Sequence, residues 1–136
     1  MVGIVVAAHG RLAEELVRTA EGVVGPLPQT TTFSIQQAGC AEDGPGELRR
    51  CIAAVDQGDG VVMLTDLLGG SPTNLCLAVL KERDVEVVTG VNLPMLLKVG
   101  SLRAANHPPI ELARLLCAAG QKAIVEATDV LLGHKP

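Results

Sequence analysis

Aromatic residues are almost absent from this chain of 136 residues, which has one Phe and neither Trp nor Tyr. Proteins that bind single-stranded nucleic acid commonly stack bases on aromatic side chains, and only Phe33 is available for that purpose. A formal net charge of -4 and the lack of a basic stretch argue against a protein that binds a phosphate backbone. We therefore expect no nucleic-acid partner.

Close cysteine pairs and long apolar runs are missing as well, and we expect no leader segment. No Cys/His spacing typical of a zinc site occurs among the four cysteines, which are Cys40, Cys51, Cys76 and Cys117. No apolar run approaches the ~18 residues of a membrane span. The first residues enter a strand pattern without the charged segment of a secretory signal. We expect a single reduced, cytoplasmic domain over residues 1–136.

Apolar, β-branched runs alternate with amphipathic helical patterns along the chain. Residues 2–8 are almost continuously apolar, which is typical of a strand covered on both faces. Residues 11–24 place apolar side chains at helical spacing, and Gly25-Pro26 ends that pattern. The predicted strands are 2–8, 29–35, 61–65, 85–89 and 122–128, and the predicted helices are 11–24, 46–55, 71–83, 92–101 and 110–119.

This alternation predicts a three-layer α/β fold with a mainly parallel sheet and helices on both faces. Right-handed crossovers and four such strands favour the flavodoxin-like order 2-1-3-4. That order makes the first and third strands neighbours. Polar residues that follow these two strands would then lie at the same edge of the sheet.

His9 and Asp66 are the polar residues in question. A neutral imidazole is a good nucleophile when an acceptor holds its other ring nitrogen, and a carboxylate such as Asp66 suits that task. The ordinary interpretation of His9 is a loop histidine without a chemical role. That of Asp66 is an aspartate in a turn or at a helix cap. His107 and His134 lie in polar segments and are predicted to be exposed loop residues.

A glycine-rich turn follows Asp66. Gly69, Gly70 and Ser71 would offer backbone N–H groups and a hydroxyl at a helix N-terminus, which suits an anionic phosphoryl group. The same residues also fit an ordinary tight turn with a serine cap. No Walker pattern, GxGxxG motif or metal cluster accompanies them, so we expect no cofactor and no metal. A phosphoprotein is therefore a more plausible phosphoryl donor than a nucleotide.

Three segments together resemble a known family. The strand ending in His9-Gly10, the loop Asp66–Pro72 and the segment Gly90–Leu96 are similar to the IIA domain of the mannose family of the bacterial sugar phosphotransferase system. The resemblance implies that His9 accepts a phosphoryl group from phospho-HPr and passes it to a IIB partner. It also implies that Asp66 orients the histidine and that Ser71 lies against the site.

The resemblance carries further expectations about structure and partners. Asn92 and Pro94 would begin the helix packed beside the site. A fifth, antiparallel strand, our segment 122–128, would be exchanged between the subunits of a homodimer. Arg11 stands where some transport members carry a bulky apolar residue, so the partner surface is expected to differ.

Leu67 and Leu68 either form the rim that contacts partners or pack in the core. Any membrane contact would be indirect, through a permease.

Three alternative functions stay open from the sequence. The first is a regulatory sensor whose partner choice depends on phosphorylation of His9, without sugar transport. The second is the phosphotransfer subunit of the dihydroxyacetone kinase system, which resembles this chain in fold and in a histidine after the first strand. The third is a flavodoxin-like protein that binds a small ligand.

Overall fold

The computed structural model describes residues 1–35, 44–67 and 84–133. Four strands and five helices lie in these ranges, and none of the helices there is both long and apolar enough to cross a membrane. The elements are β1 Gly3–His9, α1 Leu12–Val24, β2 Thr30–Ile35, α2 Gly44–Val55, β3 Val61–Thr65, β4 Val85–Thr89, α3 Leu93–Ala104, α4 Pro109–Lys122 and α5 Ala127–Leu132. The predicted helix 71–83, Cys40, Cys76 and His134 lie outside the described residues.

The four strands form one parallel sheet in the order β2-β1-β3-β4, which confirms the predicted order. β1 lies between β2 and β3, and its register places Ala7 opposite both Phe33 and Thr65. The carboxyl ends of β1 and β3 therefore coincide at one edge. The residue that follows Thr65 is Asp66, so the register brings it to the end of β1.

Alternate residues of β1 point to opposite faces of the sheet, and both faces are covered. Ile4 and Val6 pack in a cluster with α1, α3 and α4, whereas Val5 and Ala7 pack with α2. All four side chains are fully buried. Burying a side chain of the size of Val or Ile stabilises a fold by about 1.5–3 kcal/mol, so this strand anchors both layers. The predicted three-layer architecture is confirmed.

The predicted fifth strand at 122–128 is not confirmed, because the described chain is helical at both ends of this segment. α4 continues to Lys122, and the helix α5 begins at Ala127. The Glu126 carboxylate accepts hydrogen bonds from the backbone N–H groups of Thr128 and Asp129, at 3.2 and 2.8 Å, which starts a helical turn. A strand needs a neighbouring backbone for its hydrogen bonds, whereas a capped helix satisfies them locally.

Candidate active site

His9 and Asp66 meet at the carboxyl edge of the sheet. His9 is the last residue of β1, and Asp66 directly follows β3. Parallel pairing of these strands brings the two side chains together, and His9 Nδ1 lies 2.9 Å from Asp66 Oδ2. The contact joins residues 57 positions apart in the chain, so the strand order is what creates it.

One carboxylate oxygen holds both the backbone and the ring of His9. Asp66 Oδ2 also accepts a hydrogen bond from the backbone N–H of His9 at 3.1 Å. Because a carboxylate is an acceptor, Nδ1 carries the ring hydrogen in the neutral imidazole. The lone pair of the ring is then on Nε2. The geometry therefore fixes both the tautomer and the orientation of the imidazole.

Asp66 is held in its ionised form by this arrangement. Burial alone would raise the pKa of the Asp66 carboxyl. The side-chain and backbone hydrogen bonds from His9, the charge of a protonated His9 ring and the N–H of Asp66 itself outweigh burial, so the pKa of Asp66 is lowered. An ionised carboxylate can stabilise positive charge that develops on the imidazole during attack on an electrophile.

The second oxygen of Asp66 is buried and has no hydrogen-bond partner among the described residues. A buried acceptor without a partner costs about 1–3 kcal/mol. Such orphaned groups call for a physical explanation, and a strained or functional site is a common one. The carboxylate therefore contacts His9 through Oδ2 alone.

The ring of His9 faces solvent. Its side chain is 44% exposed, whereas that of Asp66 is only 12% exposed, so the carboxylate lies beneath an accessible imidazole. Gly10 turns the chain immediately afterwards with φ of +58°, and a Cβ there would meet no atom within 4 Å. Glycine is thus favoured at this position by backbone conformation and not by lack of space. A macromolecular partner can reach the ring.

Two exposed apolar side chains lie close to the site along the chain. Leu67, which follows Asp66, is 56% exposed, and Leu12 in the first turn of α1 is 44% exposed. The structure therefore places Leu67 at the surface beside the site and not in the core.

Arg11 is not brought to the imidazole. Its guanidinium lies 3.6 Å from a carboxylate oxygen of Glu14 and 3.6 Å from one of Glu15, and its side chain is 74% exposed. These pairs follow helical spacing on the first turns of α1. Arg11 therefore belongs to the solvent-exposed surface next to the site.

Asn92 and Pro94 support the start of α3. Asn92 Oδ1 accepts the N–H of Met95 at 3.0 Å, which is the expected chemistry of an N-cap, and Pro94 lies in the first turn. Asn92 Nδ2 also donates to the carbonyl of Gly120 at 3.0 Å. Neither of these two side chains is hydrogen-bonded to His9. Asn92 thus links the start of α3 to the end of α4.

Sequence reasoning missed one connection near the site. The N–H of Val91 donates to the carbonyl of Thr65 at 2.9 Å, which joins the segment before α3 to the end of β3, one residue from Asp66. In the sequence, only Gly90 could have indicated a turn at this point. Its φ of +79° in the structure lies in the left-handed region that glycine favours. Leu68, Gly69, Gly70 and Ser71 lie outside the described residues, so their predicted roles stay predictions.

Comparison with known proteins agrees with this architecture. The EIIA-man family model, described as "PTS system fructose IIA component", matches residues 3–112. The mannose-specific EIIAB component of the phosphotransferase system of Escherichia coli K12 is 32% identical over 126 residues. That alignment covers 90% of this chain but only 38% of the relative.

Solved structures share this fold. The mannose/sorbose-specific IIA subunit from Enterococcus faecalis superposes with a TM-score of 0.76 at 28% identity, covering 91% of this chain and 92% of the other. The phosphotransferase system component EIIA from Streptococcus agalactiae shares the fold, with a TM-score of 0.83 at 23% identity over 94% of this chain and 98% of the other. Since the family model matches well over half of the chain, the protein belongs to the EIIA-man family, the mannose-type IIA components of the sugar phosphotransferase system.

Proposed function

We propose that this protein is a cytoplasmic phosphocarrier of a sugar phosphotransferase system. His9 accepts a phosphoryl group from phospho-HPr and passes it to a IIB protein. The observation that carries the proposal is the hydrogen bond from His9 Nδ1 to a carboxylate that is only 12% exposed, beneath a ring that is 44% exposed. Membership of the EIIA-man family supports a phosphotransfer role in general.

The proposed reaction occurs at His9 Nε2. Its lone pair attacks the phosphorus of the donor phosphohistidine, the new N–P bond forms, and the N–P bond to the donor ring breaks in line. The donor imidazole leaves with that electron pair. His9 becomes a phosphorylated imidazolium whose positive charge faces the Asp66 carboxylate. Catalysis then comes from positioning and charge stabilisation, because the phosphoryl group passes between two similar nitrogens.

The incoming phosphoryl oxygens need hydrogen-bond donors. We assign that task to Gly10 and to the turn Gly69, Gly70 and Ser71, on the sequence argument that backbone N–H groups at a helix start bind anions. The exposed Leu67 suits a partner-facing rim, and we extend that proposal to Leu68. Arg11 would present its charge, together with Glu14 and Glu15, to the same partners.

Phosphorylation can be tested with phosphoenolpyruvate, enzyme I and HPr, followed by measurement of intact mass. We expect a gain of one phosphoryl group, ~80 Da, that is acid-labile and absent from His9→Ala. His107→Ala is the matched control, since His107 lies 3.5 Å from Glu111 on α4 and far along the chain from the site. Phosphorylation that persists in His9→Ala would contradict the assignment of the acceptor.

A second experiment tests the destination of the phosphoryl group. Phosphorylated protein should lose its phosphate to an added mannose-type IIB protein. If the wild type gains phosphate but no IIB protein removes it, a regulatory role or a dihydroxyacetone kinase partner replaces the transport role. Nitrogen-detected NMR of the phosphorylated imidazole should show the modification on Nε2.

We also propose that the protein is a homodimer. All residues from Gln121 to Gly133 are exposed, and five large apolar side chains there are between 60% and 79% exposed. These side chains are Ile124, Val125, Val130, Leu131 and Leu132. Clusters of this kind mark protein interfaces. Light scattering should give twice the monomer mass, and Ile124→Asp with Leu131→Asp should give the monomer.

A further inference from the structure

Arg103 is a buried cation at the edge of the sheet opposite His9. It lies in the last turn of α3 and is only 7% exposed. Its Nη1 donates to the carbonyl of Val2 at 3.2 Å, just before β1. Since β1 rises about 3.3 Å per residue, Arg103 and His9 lie about 20 Å apart. Arg103 therefore takes no part in the proposed phosphoryl transfer.

The guanidinium is not neutralised by an acidic partner in the described ranges. No carboxylate of those residues lies within ion-pair distance of it, and its Nε is buried without a hydrogen-bond partner. Burial lowers the pKa of Arg103, which reports the cost of keeping the charge there. The C-terminal end of α3 and the Val2 carbonyl offset part of this cost. A guanidinium normally uses several of its five N–H groups when it is buried.

A cavity of about 310 Å³ adjoins Arg103. This volume is at the lower end of the range for small-molecule sites. Its walls come from the start of β1, the turn before β3 and the connection from α3 to α4. The lining residues are Met1, Val2, Asp59, Arg103, Asn106, His107, Pro108 and Pro109.

The polar groups around this cavity favour an anion. α4 begins at the wall of the cavity, and its N-cap residue, Pro108, makes no side-chain capping hydrogen bond. The positive end of this 14-residue helix therefore lies at the cavity without a side-chain cap. His107 adds a ring nitrogen, which is 3.5 Å from Glu111. Among the described lining residues, the one carboxylate is that of Asp59, and it is ion-paired with the Met1 amine.

We propose that this cavity binds a small oxyanion, a carboxylate or a phosphate group, through the guanidinium of Arg103. A planar guanidinium presents parallel N–H groups that match two oxygens of either anion. The ligand would balance the buried charge and join α3, α4 and the start of β1. It would leave His9 accessible at the other edge.

The binding test uses inorganic phosphate and malonate, each against sodium chloride at matched ionic strength. Amide chemical shifts in the wild-type protein should move saturably at Val2, Asn106 and Ile110. Saturation with phosphate but not with malonate would indicate a phosphate ligand, and the reverse result would indicate a carboxylate ligand. Shifts that saturate only around Gly10 and Leu12 would place the anion at the His9 edge and overturn the proposal, as would shifts equal to those with chloride.

Two variants complete the test. Arg103→Gln keeps a long polar side chain without the charge and should weaken binding at least about tenfold, since a charge-assisted contact is lost. Arg114→Gln, an exposed arginine on α4, is the matched control and should leave binding unchanged. Unchanged affinity in a folded Arg103→Gln protein would overturn the proposal. If that variant does not fold, the shift map of the wild type decides the question alone.

Discussion

Replacement of Asp66 by Asn tests whether the charge beneath His9 drives phosphoryl transfer. The amide oxygen can occupy the position of Oδ2 and accept both hydrogen bonds, from the backbone N–H at 3.1 Å and from Nδ1 at 2.9 Å. The geometry is thus retained and the negative charge is removed. Hydrogen bonds to charged groups contribute about 1–2 kcal/mol more than neutral ones, so we expect transfer to slow about 5- to 30-fold.

The assay is rapid-quench transfer from phospho-HPr, followed by intact mass. When phosphoenolpyruvate and enzyme I keep HPr phosphorylated, the final extent of phosphorylation should reach that of the wild type, because the acceptor nitrogen is unchanged. Asp84→Asn is the matched control: Asp84 is exposed at the start of β4, at the opposite edge of the sheet. A rate within twofold of wild type for Asp66→Asn, or an equal loss in the control, would refute the reasoning.

Three further predictions concern the stability of the fold around the site. The pKa of Asp66 is lowered on folding, so its charge stabilises the native state above the ordinary carboxyl pKa, and this contribution is lost as the pH falls through the lowered value. The stability difference between wild type and Asp66→Asn in urea should therefore shrink below about pH 4. Gly10→Ala should destabilise by about 1 kcal/mol because of its φ of +58°, whereas Gly22→Ala, in α1, should stabilise by up to about 1 kcal/mol. Asn92→Ala should cost about 1–2 kcal/mol in urea unfolding, and Asn92→Asp, which keeps the cap, should recover part of that.

Each of these expectations has an opposing result. A stability difference that is constant down to pH 2 would mean that Asp66 is not ionised preferentially in the folded state. Equal effects at Gly10 and Gly22 would contradict the left-handed conformation of Gly10. A recovery that is complete in Asn92→Asp would show that the bond to the Gly120 carbonyl contributes nothing.

Local patterns were sufficient for most of the secondary structure. The strand at 85–89 has the predicted bounds, and α1 begins one residue after its predicted start. The reason is that buried parallel strands and amphipathic helices have distinct apolar periods, and glycine and proline mark their ends. The position of Asn92 near a cap is predictable because its side-chain chemistry acts within three residues of its own position.

The C-terminal segment shows where such patterns fail. Residues 122–128 alternate like a strand, yet the structure contains α5 and, before it, exposed residues without regular secondary structure. A strand is defined by the backbone that it pairs with, and no period in its own sequence identifies that partner. The sequence also did not indicate that Arg103 is buried, although this residue lies four residues after Val99, on the buried face of α3. Its environment depends on Val2, about 100 residues away.

The sequence by itself determined the aliphatic core, the alternation of strands and helices, and the polar residues at the ends of two strands. These features depend on residue type and short-range spacing. The tertiary structure alone decided that Asp66 Oδ2 binds both the backbone and Nδ1 of His9, and that Arg103 is buried beside a cavity at the opposite edge. Both outcomes follow from strand order and helix packing. These bring together residues that are far apart in the chain, and no local sequence pattern encodes contacts over such separations.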